Sequence, residues 1–125
     1  MPQAFSRTNL AERCYASAFG ALATGDTPDA ERLFALMAIL LPRDERPWVG
    51  LAIARERRAD WQAAAGLYEV GSTLVPTSVW CRLGRARALR QLGRLGEAER
   101  SLDQAEELAD SEPLFAAVSQ ERNLA

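Results

Sequence analysis

The chain has no histidine and no lysine, and all fifteen of its basic residues are arginine. Without an imidazole it lacks the usual general acid or base of neutral pH. Without a lysine amine it lacks a Schiff-base nucleophile and a phosphate clamp. Neither a GxGxxG fingerprint nor a GxSxG elbow occurs. The acidic residues are dispersed, and Glu97, Glu99, Asp103, Glu106, Glu107, Asp110 and Glu112 read as a solvated helix face rather than a metal site. No enzyme, no metal centre and no cofactor is expected. The missing lysine itself points to genomic composition bias, since nothing in a helical stack requires it.

Cysteine and long apolar runs are scarce too. Cys14 and Cys81 form no CxxC or metal-ligand pattern, and Cys14 falls where the chain faces a partner helix, so a buried free thiol is expected. The apolar stretch at Leu36 to Leu41 is far shorter than the roughly 20 residues of a membrane span. Met1–Leu10 has no apolar core for secretion. These absences predict a cytoplasmic protein that does not engage a membrane. Net charge is −2, which argues against nucleic acid as the main partner. Arg82, Arg85, Arg87, Arg90, Arg94 and Arg100 are matched by acids over the following helix, so pairing between helices accounts for them.

What the chain does have is a period. Laid over itself at a spacing of about 34 residues, it brings Gly25, Ala59 and Gly93 into register, and likewise Ala30, Ala64 and Ala98. Phe34, Tyr68 and Leu102 coincide, as do Leu40, Leu74 and Leu108, and Pro42 with Pro76. A small residue at the turn lets two antiparallel helices reverse sharply, and a second small residue lets them approach. A large side chain then fills the space between them, and proline stops the second helix. This is the tetratricopeptide pattern, and it predicts an all-α fold: three helix-turn-helix repeats in a right-handed superhelix, closed by a C-terminal capping helix. The 125 residues make one domain, 1–125, with repeats at about 11–44, 45–78 and 79–112 and the cap at 113–123.

The expected helices are 10–24, 28–41, 45–58, 62–75, 79–92, 96–109 and 113–123. Asn9 with Glu12, and Thr27 before Pro28, are the expected starts of the first two. Asp44, Asp60, Ser78 and Ser111 are candidate caps for later helices. In the last helix Leu114, Phe115, Val118 and Leu124 supply an apolar stripe, with Glu112, Gln120, Glu121 and Arg122 on its polar side.

With chemistry excluded, function falls to the concave surface lined by the first helix of each repeat. Its inward positions are Glu12, Tyr15, Phe19, Leu22 and Ala23, then Arg46, Val49, Ile53, Glu56 and Arg57, then Trp80, Leu83, Arg87, Arg90 and Gln91. Tyr15, Phe19, Leu22, Val49, Ile53, Trp80 and Leu83 form an apolar strip with Arg46, Arg87 and Arg90 at its margin, the expected binding site for a segment of another protein. The alternative is that these residues pack against the N-terminal segment or another copy of the chain.

Leu41-Pro42-Arg43-Asp44 leading into Trp48-Val49-Gly50-Leu51-Ala52, with Ala64, Leu67-Tyr68 and Gly71, resembles the tetratricopeptide chaperones of bacterial type III secretion that bind translocator proteins. Leu92-Gly93-Arg94-Leu95-Gly96-Glu97-Ala98-Glu99 and Ala105-Glu106-Glu107-Leu108 are similar again. The resemblance implies a cytosolic chaperone that keeps a secretion substrate soluble and export-competent. Its client would lie in the groove on Tyr15, Phe19, Val49, Ile53, Trp80 and Leu83. Members of that family carry a longer helical N-terminal segment that helps them dimerise, and only Met1–Leu10 precedes the first repeat here. The resemblance implies a homodimer as a secondary partner, and the short segment here speaks against dimerisation by that route. Chaperones of needle subunits or small early substrates, and generic tetratricopeptide adaptors, are the alternatives. An adaptor that grips a C-terminal carboxylate needs lysine, asparagine and arginine where this chain has Tyr15, Phe19, Trp80 and Gly84.

Overall fold

The computed structural model describes residues 6–124. Met1–Phe5 and Ala125 lie outside the described residues, and with them half of the Met1–Leu10 segment weighed above. Among the described residues seven helices follow one another: α1 (Arg7–Ala23), α2 (Thr27–Leu40), α3 (Glu45–Arg57), α4 (Trp61–Leu74), α5 (Val79–Gln91), α6 (Leu95–Leu108) and α7 (Glu112–Asn123). Among the described residues there is no strand. Each helix packs on the next. The odd helices also touch their next-but-one neighbours, α1 on α3, α3 on α5 and α5 on α7, whereas no even helix touches another even one. The stack is therefore tight on its odd side and splayed on its even side. That difference curves it, with α1, α3 and α5 on the concave face.

The three turns inside the helix pairs are one turn repeated. Gly25, Ala59 and Gly93 have φ of 87°, 57° and 77°. The next amide in each case, that of Asp26, Asp60 or Arg94, reaches back to the carbonyl of Ala21, Arg55 or Leu89 at 2.8, 3.0 and 2.9 Å. This closure satisfies the orphan carbonyls of the first helix and requires a left-handed residue, which glycine adopts freely and alanine does not. Asp26 and Asp60 then cap the next helix through the amides of Asp29 and Ala63. Arg94 offers no such cap to α6.

The observed caps correct two expectations. Ser6, rather than Asn9, caps α1, accepting from the Asn9 amide at 3.1 Å. Asp26 displaces Thr27 at α2, because the closing turn delivers it to the capping position. Asp44, Asp60 and Ser78 cap as expected, while Ser111 occupies the capping position of α7 without a side-chain hydrogen bond.

Between helix pairs, the repeat's large residue meets its next small one. A Cβ on Gly50 would overlap the Phe34 ring, and one on Gly84 would overlap the Tyr68 ring. In the third position the sizes reverse. The smaller Leu102 shares a buried cluster with Val118 of α7, where the earlier pairs have glycine. Ala18, Ala30, Ala52, Ala64, Ala86 and Ala98 are all buried, letting the helices within and between pairs close up. On α7 the inward apolar residues are Leu114, Ala117 and Val118, and Phe115 and Leu124 of the expected stripe stay exposed. Cys14 and Cys81 are both buried and free.

These contacts set the stability of three variants. Gly84→Ala should lower the unfolding free energy by about 1–3 kcal/mol, since the Tyr68 ring has nowhere to go. Gly20→Ala, where the added Cβ meets nothing within 4 Å, should instead raise it by roughly 0.5–1 kcal/mol. Ala59→Gly should stabilise by a similar amount, about 0.5–1 kcal/mol, by relieving the left-handed alanine. Urea unfolding followed by circular dichroism measures all three. A neutral Gly84→Ala would show that the ring-on-glycine contact does not fix the spacing of the pairs.

Candidate functional site

The concave face holds an open cavity of about 950 Å3. Tyr15, Phe19 and Leu22 of α1, Arg46, Val49, Gly50 and Ile53 of α3 and Trp80 of α5 line it. Residues between the pairs complete the wall: Leu41, Pro42, Arg43, Asp44 and Val75. Phe19 is 61% exposed and Trp80 48% exposed, so two large rings face solvent across the opening. Tyr15 lies between surface and core. Its ring centroid is 6.1 Å from that of Phe19 and 6.4 Å from that of Phe34, edge-on to the latter. Leu22 is almost fully buried and belongs to the core as much as to the cavity floor.

Arg46 is fixed on every side. Its guanidinium holds both carboxylate oxygens of Glu12, at 3.0 and 2.7 Å, and those of Asp44, at 2.7 to 3.1 Å. It also lies over the Tyr15 ring, 4.6 Å from the centroid. Hydrogen bonds from this guanidinium hold the Glu12 and Asp44 carboxyls below their usual range, against the pull of desolvation. The same two carboxylates raise Arg46 further above its ordinary value. Arg46 thus ties α1 to α3 and forms a wall of the cavity rather than a free margin.

The other end of the concave face is closed. Arg87 donates to Glu56 at 2.9 and 3.2 Å, to Glu121 at 3.0 Å and to the Tyr68 hydroxyl at 3.0 Å, and that hydroxyl in turn donates to Glu56 at 3.1 Å. Arg90 donates to the side chain of Glu121 at 2.8 Å and to its backbone carbonyl at 3.0 Å. Burial disfavours the charge on Arg87, but Glu56 leads the groups that more than offset this, and the guanidinium stays protonated. Burial, reinforced by Glu56, raises the Tyr68 phenol, so its hydroxyl keeps the proton it donates.

Of the expected strip, then, Tyr15, Phe19, Leu22, Arg46, Val49, Ile53 and Trp80 come together at the cavity. Leu83, Arg87 and Arg90 do not line it. Leu83 is 2% exposed, packed in the cluster with Leu102 and Val118, and both arginines are engaged by Glu121 of α7. The cause is common to all three: α7 closes over their end of the stack. Glu121, expected on the polar side of α7, points inward and is buried. Counting inward positions of first helices passed over Pro42, Arg43 and Val75, whose only signal was their place in the turns between pairs.

Charge is uneven along the molecule. Residues 95–125 hold eight of the seventeen acids and two of the fifteen arginines, leaving nine acids against thirteen arginines in the part that builds the cavity. Among the described residues no group of histidine, cysteine, aspartate or glutamate could hold a metal. No helix there is long and apolar enough to cross a membrane.

Set beside known proteins, the chain is similar to type III secretion translocator chaperones. It is 30% identical over 108 residues to the low calcium response locus protein H of Yersinia pseudotuberculosis, an alignment covering 86% of this chain and 64% of that protein. The chain therefore spans under two-thirds of the length of that relative. The translocator chaperone SycD of Yersinia enterocolitica superposes with a TM-score of 0.86 at 28% identity, covering all of this chain and 96% of that one. SycD bound to a peptide of the translocator YopD superposes with a TM-score of 0.79, also at 28% identity, over 90% of this chain and 89% of that one. No protein-family model matches the chain. The all-α tetratricopeptide stack expected from the period is the fold the chain shares with the first tetratricopeptide domain of Spaghetti, which superposes with a TM-score of 0.75 at 15% identity over 91% of each chain.

The Arg46 cluster carries a pH signature. A carboxylate whose pKa is lowered on folding contributes stability that is full above its unfolded value and is lost as pH falls through the folded one. Glu12 and Asp44 are such groups. Arg46→Gln should melt a few degrees below the parent near neutral pH. The gap should narrow below about pH 4, where the unfolded carboxylates titrate. Melting curves of both proteins from neutral to acid pH check this, and a gap that widens in acid would reverse the assignment.

Proposed function

We propose that this chain is a cytoplasmic chaperone that holds an apolar segment of a type III secretion translocator in the cavity between α1, α3 and α5, keeping it soluble until export. The observation that carries the reading is the cavity itself. It is open, mostly apolar, walled by a fixed arginine and flanked by two exposed rings, Phe19 and Trp80. A surface of this kind left bare invites association, and filling it with client side chains removes apolar area from water on both partners. Each fully buried Leu, Val or Phe of the client would contribute about 1.5–3 kcal/mol before the cost of ordering the segment. The likeness to SycD, which is known with a peptide of YopD, supports a translocator as the client. Catalysis has no part in this reading: binding and release suffice.

The rings divide the test. Tyr15 is wedged against Phe34, so truncating it would disturb the core as well as the cavity. Phe19 and Trp80 are exposed, and Phe19→Ala or Trp80→Ala should remove about 2 kcal/mol of binding while leaving the melting temperature nearly unchanged. Glu107→Gln, on the exposed face of α6, should bind like the parent. Titration calorimetry against the translocator of the same secretion system, with melting curves alongside, decides the matter. Parental affinity in both ring variants would move the site off the cavity.

A further inference from the structure

One edge of the cavity carries two arginines that no carboxylate among the described residues answers. Arg7 at the start of α1 and Arg43 in the turn between α2 and α3 both line the cavity, and both are exposed. They belong to one edge, because α1 runs antiparallel to α2. The first turns of α1 therefore pack beside Met37, Leu40 and Leu41, just before Arg43. Among the described residues neither arginine has a carboxylate partner. The two acids that also line the cavity are already engaged: Asp44 by Arg46, and Glu45 by the Ser78 hydroxyl, which donates to it at 2.9 Å. Arg46 is itself satisfied by Glu12 and Asp44. The guanidiniums left without an ion-pair partner among the residues lining the opening are thus these two, set in the 1–94 part of the chain, where arginine outnumbers acid.

Resting on the reading of the cavity as a client site, we infer that the segment it takes carries an acidic side chain beside its apolar anchors, which pairs with Arg43 and Arg7. The apolar floor alone would accept any greasy segment of suitable size, and apolar contacts discriminate poorly. An acid at one end of the segment supplies what the floor lacks. It biases which way the segment runs, because Arg7 and Arg43 lie at one end, whereas at the other the cavity meets Ile53 and Leu22 and the Arg57 guanidinium there is turned to the Leu22 carbonyl, to which it donates at 2.6 Å. Guanidinium is suited to this role, since its planar fork meets a carboxylate with two parallel hydrogen bonds. The pairing is exposed, so its contribution is modest and salt-dependent, governing choice of segment more than tightness.

The test uses overlapping fluorescent peptides that together span the translocator of the same secretion system, titrated by anisotropy at low ionic strength. The tightest peptide should contain aspartate or glutamate within or next to its apolar stretch. Replacing that acid by its amide should weaken binding about fivefold, an advantage that high salt should erase. Against Arg7→Gln/Arg43→Gln, a variant whose two altered side chains have no carboxylate partner to lose, acid and amide peptides should bind alike. A tightest peptide without an acid, or an acid preference that survives in the double variant, overturns the inference while leaving the apolar site intact. If no peptide binds, or if Phe19→Ala and Trp80→Ala both bind the tightest one as the parent does, the cavity reading itself fails and the inference with it.

Discussion

An aromatic ring laid on a residue without a side chain lets two helices approach more closely than any Cβ would allow, and this contact sets the geometry of the whole stack. Phe34 on Gly50 couples the first helix pair to the second, and Tyr68 on Gly84 couples the second to the third. Because each is one repeat from the other, the same offset is imposed twice and the curvature is regular. At the end the volumes are exchanged, with Leu102 against Val118, so that α7 takes the place of another pair without being one. An isolated pair could not bury its apolar face, and a stack that repeated without change would leave its last face open.

The same terminal helix divides the concave surface into two kinds. Near α7, Glu56, Arg87, Arg90 and Glu121 satisfy one another, together with the Tyr68 hydroxyl, in a largely dehydrated site. Such a network is costly to break, because removing one partner strands the others, and it holds α5 and α7 in fixed relation. Farther back, where no helix follows in the same way, the inward positions are apolar and remain open. The binding surface is the part of the groove that the chain's own cap does not reach.

Much of this was legible in the sequence, for a physical reason. The period reports contacts that recur, so the helices, the left-handed turns at Gly25, Ala59 and Gly93 and the column of Phe34, Tyr68 and Leu102 could be placed without coordinates. The period fails where equivalent positions have inequivalent neighbours. Leu83 is equivalent to Tyr15 and Val49, yet it packs beneath α7 while they stand at the cavity. Arg87 is equivalent to Phe19 and Ile53, and Glu121 is the next residue in that column, so what looked like a charged margin is an internal ion pair. The turns between pairs were missed because a repeat says where the chain reverses, not which way the reversing residues face.

The exclusive use of arginine also has a structural account beside composition bias. Arg46 binds two carboxylates and a ring, Arg87 two carboxylates and a hydroxyl, and Arg122 holds Glu99, Asp103 and Glu106 together on the outer face. Each of these guanidiniums joins residues from different helices through several nitrogens fixed in one plane. A lysine ammonium at the same place is a compact charge on a flexible stem, without the flat face that covers Tyr15 or the fork that spans two acids. In a stack whose helices meet mainly through alanine and glycine, long planar cations bridge gaps that small side chains leave at the rims. Where one of them lacks a carboxylate partner among the described residues, as at Arg7 and Arg43, the same chemistry is left facing outward, at the opening of the cavity.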